Sequence, residues 1–163
     1  MSDDGDDETN LFEFVRKFRP FGIKALSSRD RVRDLLKYAK RTPIQSRGDR
    51  LFGVGDPSDT CYMVLKGSVC LTYRGVPVYT FRAGETFGEI GMLEASTRRG
   101  EAIVSEDETS LLSLSRDSLQ SDSFPPDLLR EVYSYLGKRV ARLLLADEFY
   151  RSNMDVLIVQ DGG

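Results

Sequence analysis

Hydrophobic residues fall at helical spacing at both ends of this chain and alternate with polar ones in between. Near the start, Leu11, Phe12, Val15 and Phe18 share a helical face, and Asn10-x-x-Glu13 resembles a capping box. This helix must stop near Pro20. Val32, Leu35, Leu36 and Ala39 then sit at i, i+3, i+4 and i+7, which predicts a second amphipathic helix over about 28–40, with Ser27-x-x-Asp30 as its cap. From residue 42 the period drops to two. Short strands are predicted at 42–45, 51–54, 61–65, 69–73, 76–82, 102–104 and 110–114, separated by glycine- and aspartate-rich turns. After Pro125-Pro126 the helical period returns, with Leu129, Val132, Leu136, Val140 and Leu143 one above another in a long helix ending near Tyr150. The run Val156–Val159 is either an added strand or part of a disordered end.

Taking Lys66-Gly67 as a two-residue hairpin turn sets a register. Tyr62 then faces Leu71, Val64 faces Val69, and these four share one core face. Cys61 falls opposite Thr72 and Cys70 opposite Met63. The cysteines become diagonal neighbours about 7–8 Å apart, beyond comfortable disulfide reach, so reduced thiols are expected.

Six to eight short strands with tight turns, closed by helices at both ends, point to a β-roll or jelly-roll barrel rather than a parallel sheet. At 163 residues the chain fits one domain. Its net charge of −3 gives no pull toward nucleic acid. No apolar run reaches the ~20 residues of a membrane span, and the acidic start, residues 1–9, is no signal peptide and reads as a disordered tail. A cytoplasmic location is the expectation. There is no histidine, which removes the commonest general base and metal ligand. Two cysteines fall short of a zinc site. An enzyme is therefore not expected.

The chemistry concentrates in residues 84–102, GETFGEIGMLEASTRRGEA. Glycines at 88 and 91 let backbone N–H groups approach an anion. A following arginine can pair with a phosphate through two parallel bonds. Glu89 cannot bind phosphate, but it can accept hydrogen bonds from sugar hydroxyls. Phosphate plus ribose implies a nucleotide. A purely structural reading is also open, in which Gly88 and Gly91 make a tight turn and Glu89 pairs internally with Arg99.

Gly48-Asp49, Gly55-Asp56, the run Cys61–Val69, Gly84, Phe87-Gly88-Glu89-Ile90-Gly91-Met92-Leu93, Arg98-Arg99 and the exit Ser115–Leu119 together resemble the cyclic nucleotide-binding domain of cAMP-dependent protein kinase regulatory subunits and the catabolite activator protein. The likeness is strongest over 46–119 and, with helices, covers about 20–150. It implies a mainly β fold: an eight-stranded β-roll over 42–119 with a phosphate-binding cassette, N-terminal helices over 10–41, a C-terminal lid helix over 120–151 and a tail from 152 to 163. Carried onto these residues, it implies that Glu89 holds the ribose 2′-hydroxyl and that the backbone at Gly88, Ile90 and Gly91 faces the phosphate. On the lid helix an aromatic or aliphatic residue could cap the base; Phe149 and Tyr150 are the candidates, with core packing as the favoured reading of either.

Two alignments of the phosphate arginine stand. Arg99 needs no insertion before Arg116 and is preferred; it leaves Gly100 and Glu101 next, so that a carboxylate lies beside the phosphate. Arg98 restores the spacing of eukaryotic members and makes Arg99-Gly100 the following pair. Neither places a Ser or Thr after the arginine, where cGMP-selective members often have one, so cAMP is the expected ligand, with cGMP as the lesser candidate. No cofactor is expected. The output would pass to an unidentified effector protein or to an output domain outside this sequence. The rival reading is a β-roll that has lost its ligand, through Glu101, and works as a protein-interaction module.

Overall fold

The structure is a computed structural model that describes residues 3–24, 26, 28–89, 92 and 97–153, with the side chains of 3–10, 140 and 143–153 left undescribed. Helix α1 spans Asp3–Phe18. It therefore begins within the stretch expected to be a disordered tail. A 3-10 turn, Pro20–Gly22, leads to α2, Arg29–Leu36. The cap is Ser28, not Ser27: its side chain accepts from the Arg31 N–H at 3.3 Å.

Eight strands follow: β1 Ala39–Arg41, β2 Arg50–Phe52, β3 Thr60–Lys66, β4 Ser68–Tyr73, β5 Val76–Arg82, β6 Thr86–Phe87, β7 Glu101–Val104 and β8 Ser110–Ser115. They form two four-stranded antiparallel sheets, ordered β1-β8-β3-β6 and β2-β7-β4-β5. The strand expected at 42–45 starts earlier, because Ala39–Arg41 pairs with Leu112–Leu114; Gln45 keeps only an isolated bridge to Thr109. Helix α3, Arg116–Gln120, leaves the roll. Helix α4, Pro126–Asn153, closes the described chain.

The β3–β4 hairpin of the sequence reading does not form. β3 pairs with β8 and β6, whereas β4 pairs with β5 and β7. Gly67 turns the chain from one sheet to the other. Its φ of +86°, and a Cβ that would stand 2.1 Å from Thr109 Oγ1, leave room only for glycine. Cys61 accordingly faces Leu114, and Cys70 faces Thr80 and Ile103. Both thiols are free, as expected, but because they lie in different sheets. The predicted turn at Arg74-Gly75 does join β4 to β5, with Tyr73 opposite Val76.

Between the sheets lies a core of Phe52, Val64, Val69, Leu71, Phe87, Ala102 and Leu111, with Tyr62 packed against it. The expected grouping of Tyr62, Val64, Val69 and Leu71 is thus real, but they meet across facing sheets. Cys61, Met63 and Leu65 on the other face of β3 join a second core. There Leu112 and Leu114 of β8 meet Val15, Leu35, Leu128, Val132 and Leu136 of the helices. On α4 the buried stripe begins at Leu128; Leu129 is only half-buried, and Val140 and Leu143 lie outside the described side chains.

Candidate functional site

The turn after β6 carries the first site residues. Gly88 has φ +83°, a region L side chains avoid, and a Cβ there would stand 2.9 Å from Arg98 Nη1 and 3.2 Å from the Thr60 carbonyl. Glycine is required both for the backbone shape and for the close approach of the arginine. Glu89 follows and is 3% exposed. Ile90 and Gly91 lie outside the described residues, as do the side chains of Phe149 and Tyr150.

Alternating burial distinguishes the two arginines. From Arg98 to Val104 every second residue (Arg98, Gly100, Ala102, Val104) is buried, while Arg99 is exposed and Glu101 and Ile103 are half-buried. Arg98 thus turns inward and Arg99 outward. Spacing to Arg116 prefers Arg99 for the phosphate, whereas alternation along the chain entering β7 puts Arg98, not Arg99, on the inner side. Arg98 is 3% exposed. Its Nη1 donates to the Gly88 carbonyl at 3.1 Å, its Nη2 donates to the Thr60 carbonyl, and its guanidinium lies 4.1 Å from the ring centroid of Phe52. Its Nε is buried with no hydrogen-bond partner among the described residues. Burial pulls the Arg98 pKa below its ordinary value, with Tyr62 and Asp59 working in the opposite direction.

The loop 53–57 holds the arginine's backbone. Arg98 N donates to Asp56 O at 2.8 Å, and Gly55 N donates to Arg98 O at 2.9 Å. The Asp56 carboxylate accepts from Gly53 N at 2.7 Å and fixes the loop. Gly55-Asp56 in the sequence thus has a local task, to cradle the arginine segment.

Glu101 takes a different place from the one feared. It shares the outward phase of β7 and meets Arg50 at 3.5 Å. Gly100 packs against β4, where a Cβ would stand 2.7 Å from the Thr72 carbonyl.

Sequence reasoning missed Arg139. This residue of α4 donates from Nε to Glu89 Oε1 at 2.6 Å and from Nη2 to the Thr86 carbonyl at 3.4 Å. Burial opposes its charge, but the Glu89 carboxylate more than offsets this and holds the Arg139 pKa above its ordinary value. Glu89 is therefore ion-paired internally, to Arg139 and not to Arg99. Arg116 also serves the site: its Nε donates to the Met92 carbonyl at 2.8 Å and its Nη2 to the Ser58 carbonyl at 3.2 Å. This ties the segment after Glu89 to the loop before β3. Among the described residues no cluster of metal-ligating side chains occurs, and no helix is long and apolar enough to cross a membrane.

Two four-stranded antiparallel sheets, with a glycine turn, a buried carboxylate and a buried arginine at one end, make this a domain of the β-roll class. Residues 45–121 match the family model described as the cyclic nucleotide-binding domain. Among curated proteins it is 28% identical to the CRP-like protein Clp of Xanthomonas campestris pv. campestris, over 138 residues that cover 80% of this chain and 59% of the relative. Among solved structures it is similar to the catabolite activator protein of Thermus thermophilus (28% identity, TM-score 0.63, 77% of this chain and 59% of that one). It is also similar to a cyclic nucleotide-binding domain from Methylobacillus flagellatus (25% identity, TM-score 0.66, 91% of this chain and 83% of that one). The chain thus spans 59% of the length of the curated relatives it matches.

Proposed function

We propose that this domain is a non-enzymatic regulatory module that binds a cyclic nucleotide, cAMP in preference to cGMP, and signals through α4. The observation that carries this reading is the buried Arg98, held against the Gly88 turn with its Nε unpartnered. A buried cation whose terminal nitrogens rest on backbone carbonyls is poorly compensated. An anionic ligand at the turn supplies what it lacks. Glu89 is the acceptor for the ribose hydroxyl, and Gly88 leaves the turn's backbone open to the phosphate. The residues after Arg98, Arg99 and Gly100, carry no hydroxyl with which to reach a guanine, which favours cAMP.

Output follows from the contact of Arg139 with Glu89. A ribose hydroxyl donating to Glu89 competes with Arg139, so ligand and helix share one acceptor. The ligand shifts α4 only by its difference in affinity for the two arrangements. The effector is another protein or an output domain outside this sequence, and a cytoplasmic setting fits such a module. The expectation of no nucleic-acid partner rests on the charge of these 163 residues and does not extend to the longer relatives.

A second reading, a roll that works without ligand as an interaction module, is favoured by one observation. Glu89 and Arg98 already have internal partners. Glu101, the original motive for it, no longer supports it. Thermal unfolding with excess cAMP or cGMP separates the two. Ligand at about 100 times Kd adds roughly 2.7 kcal/mol, or about 5–10 °C in Tm. No shift with either nucleotide at millimolar concentration defeats the first reading and leaves the second.

A further inference from the structure

A run of aromatic rings crosses the interior and ends at Arg98. Phe81 stacks on Phe87 with centroids 4.8 Å apart, and Phe87 stacks on Tyr62 at 5.3 Å, both pairs with planes 21° apart. Tyr62 flanks Phe52 at 6.3 Å, and the Arg98 guanidinium lies over Phe52 at 4.1 Å. Tyr79, at the far end, donates its hydroxyl to Glu85 at 2.7 Å. Among the described residues, Tyr62 is the one ring of the group Phe52, Tyr62 and Phe87 that has a polar end.

Two neighbours fix the backbone of Tyr62. It pairs with Phe87 in β6 and with Ser113 in β8. Its side chain packs against the inter-sheet core but is only half-buried, and its hydroxyl has no hydrogen-bond partner among the described residues. Arg98 Nε is likewise unpartnered, and the two groups do not bond to each other. Two donors flanking the Phe52 ring are thus unspent at the end of the roll where Glu89 and Gly88 lie. Burial raises the Tyr62 pKa, with Arg98 opposing, so the phenol keeps its proton at neutral pH and can donate.

We propose that Tyr62 is a further ligand-contacting residue, whose hydroxyl donates to an exocyclic oxygen of the phosphate held by Arg98. This rests on the cyclic-nucleotide reading of the site. A donor aimed at one exocyclic oxygen distinguishes the two phosphorothioate diastereomers of cAMP, which differ in the oxygen that sulfur replaces.

The test is calorimetric titration of the full chain and its Tyr62→Phe variant with cAMP and both phosphorothioates. The variant keeps the ring and its stacking. A loss of about tenfold in cAMP affinity, with a several-fold change in the ratio of the two diastereomers' affinities and an unchanged Tm, is expected. Wild-type affinity in Tyr62→Phe overturns the proposal and leaves the functional reading standing. So does a loss with an unchanged diastereomer ratio, which marks a merely structural role. A wild-type chain that binds neither cAMP nor cGMP overturns this proposal and the functional reading together.

Discussion

Arg139 on α4 and Glu89 at the turn after β6 meet at 2.6 Å across 50 positions of sequence. The carboxylate is nearly buried and the guanidinium is one-third exposed. Removing one partner of such a pair strands the other charge. Arg139→Ala is expected to lower the stability of the ligand-free domain by about 2 kcal/mol, a value reduced for the exposure of the arginine. The double variant Glu89→Gln/Arg139→Ala should recover part of that loss. Urea unfolding of the four proteins of this cycle measures the coupling; additive losses would rule the latch out.

Gly88→Ala should cost about 1–2 kcal/mol from backbone strain. It should also weaken cAMP binding beyond that, because the new methyl meets Arg98 Nη1 at 2.9 Å. Gly75→Ala, also at positive φ but with nothing within 4 Å of its Cβ, provides the comparison. It should lose stability and keep affinity. Calorimetry on both variants separates strain from loss of the site.

Arg98→Ala is expected to reduce cAMP affinity by at least tenfold, the scale of one charge-assisted contact. Arg99→Ala, altering the outward phase of the segment that enters β7, should cost much less. Equal losses in a direct titration would return the choice between the arginines to where the spacing left it.

The Arg31 guanidinium, through its hydrogen bond, holds the Asp127 carboxyl below its ordinary value at the start of α4. A depressed carboxylate contributes stability above its unfolded pKa of about 4. That contribution fades as pH falls through the lower folded value. The stability of Asp127→Asn should therefore lie below that of the native domain at pH 7 and approach it as pH falls below about 4. Being solvent-exposed, the pair should contribute less than about 1 kcal/mol. Thermal unfolding across that pH range gives the curve.

Cys61 is buried, its thiol pKa pushed well up mainly by burial, with Glu89 adding to this, while Cys70 is only half-buried. A thiol reagent at neutral pH should modify Cys70 first and Cys61 only after denaturation. Mass spectrometry of the partly labelled protein identifies the site; early labelling of Cys61 would contradict the packing of β3.

Turn chemistry and alternation made much of the roll legible. Arg74-Gly75, the acidic turn before β8 and the Phe87-Gly88-Glu89 turn fall where glycine, charge and period two place them. Lys66-Gly67 misled because the same dipeptide serves a hairpin or a passage between sheets. Its passage role depends on Thr109, 42 residues beyond Gly67. The inward phase of Arg98 was readable by counting back in twos from Val104 and Ala102, whereas spacing to Arg116 was the weaker guide. Arg139 stood among Lys138 and Arg142 as an ordinary wet face. Only the folded position of Glu89 selects it, and no local pattern records a contact that distant.

Gly67, by sending β3 and β4 into separate sheets, also governs how the chain can assemble. β3 has no hairpin partner next to it; its longest pairing joins Thr60–Lys66 to Ser110–Ser115, about fifty residues on. The β4–β5 hairpin can close early, on the microsecond scale. The β3–β8 pair must wait for a large loop to close, with the entropy cost falling before any reward. Folding of this domain should thus be limited by the joining of the roll's two ends. Substitutions at Met63 or Leu112 should slow folding, and so should those at Tyr73 or Val76, whose hairpin is already closed at that step; contacts made after the ends join should mainly affect unfolding.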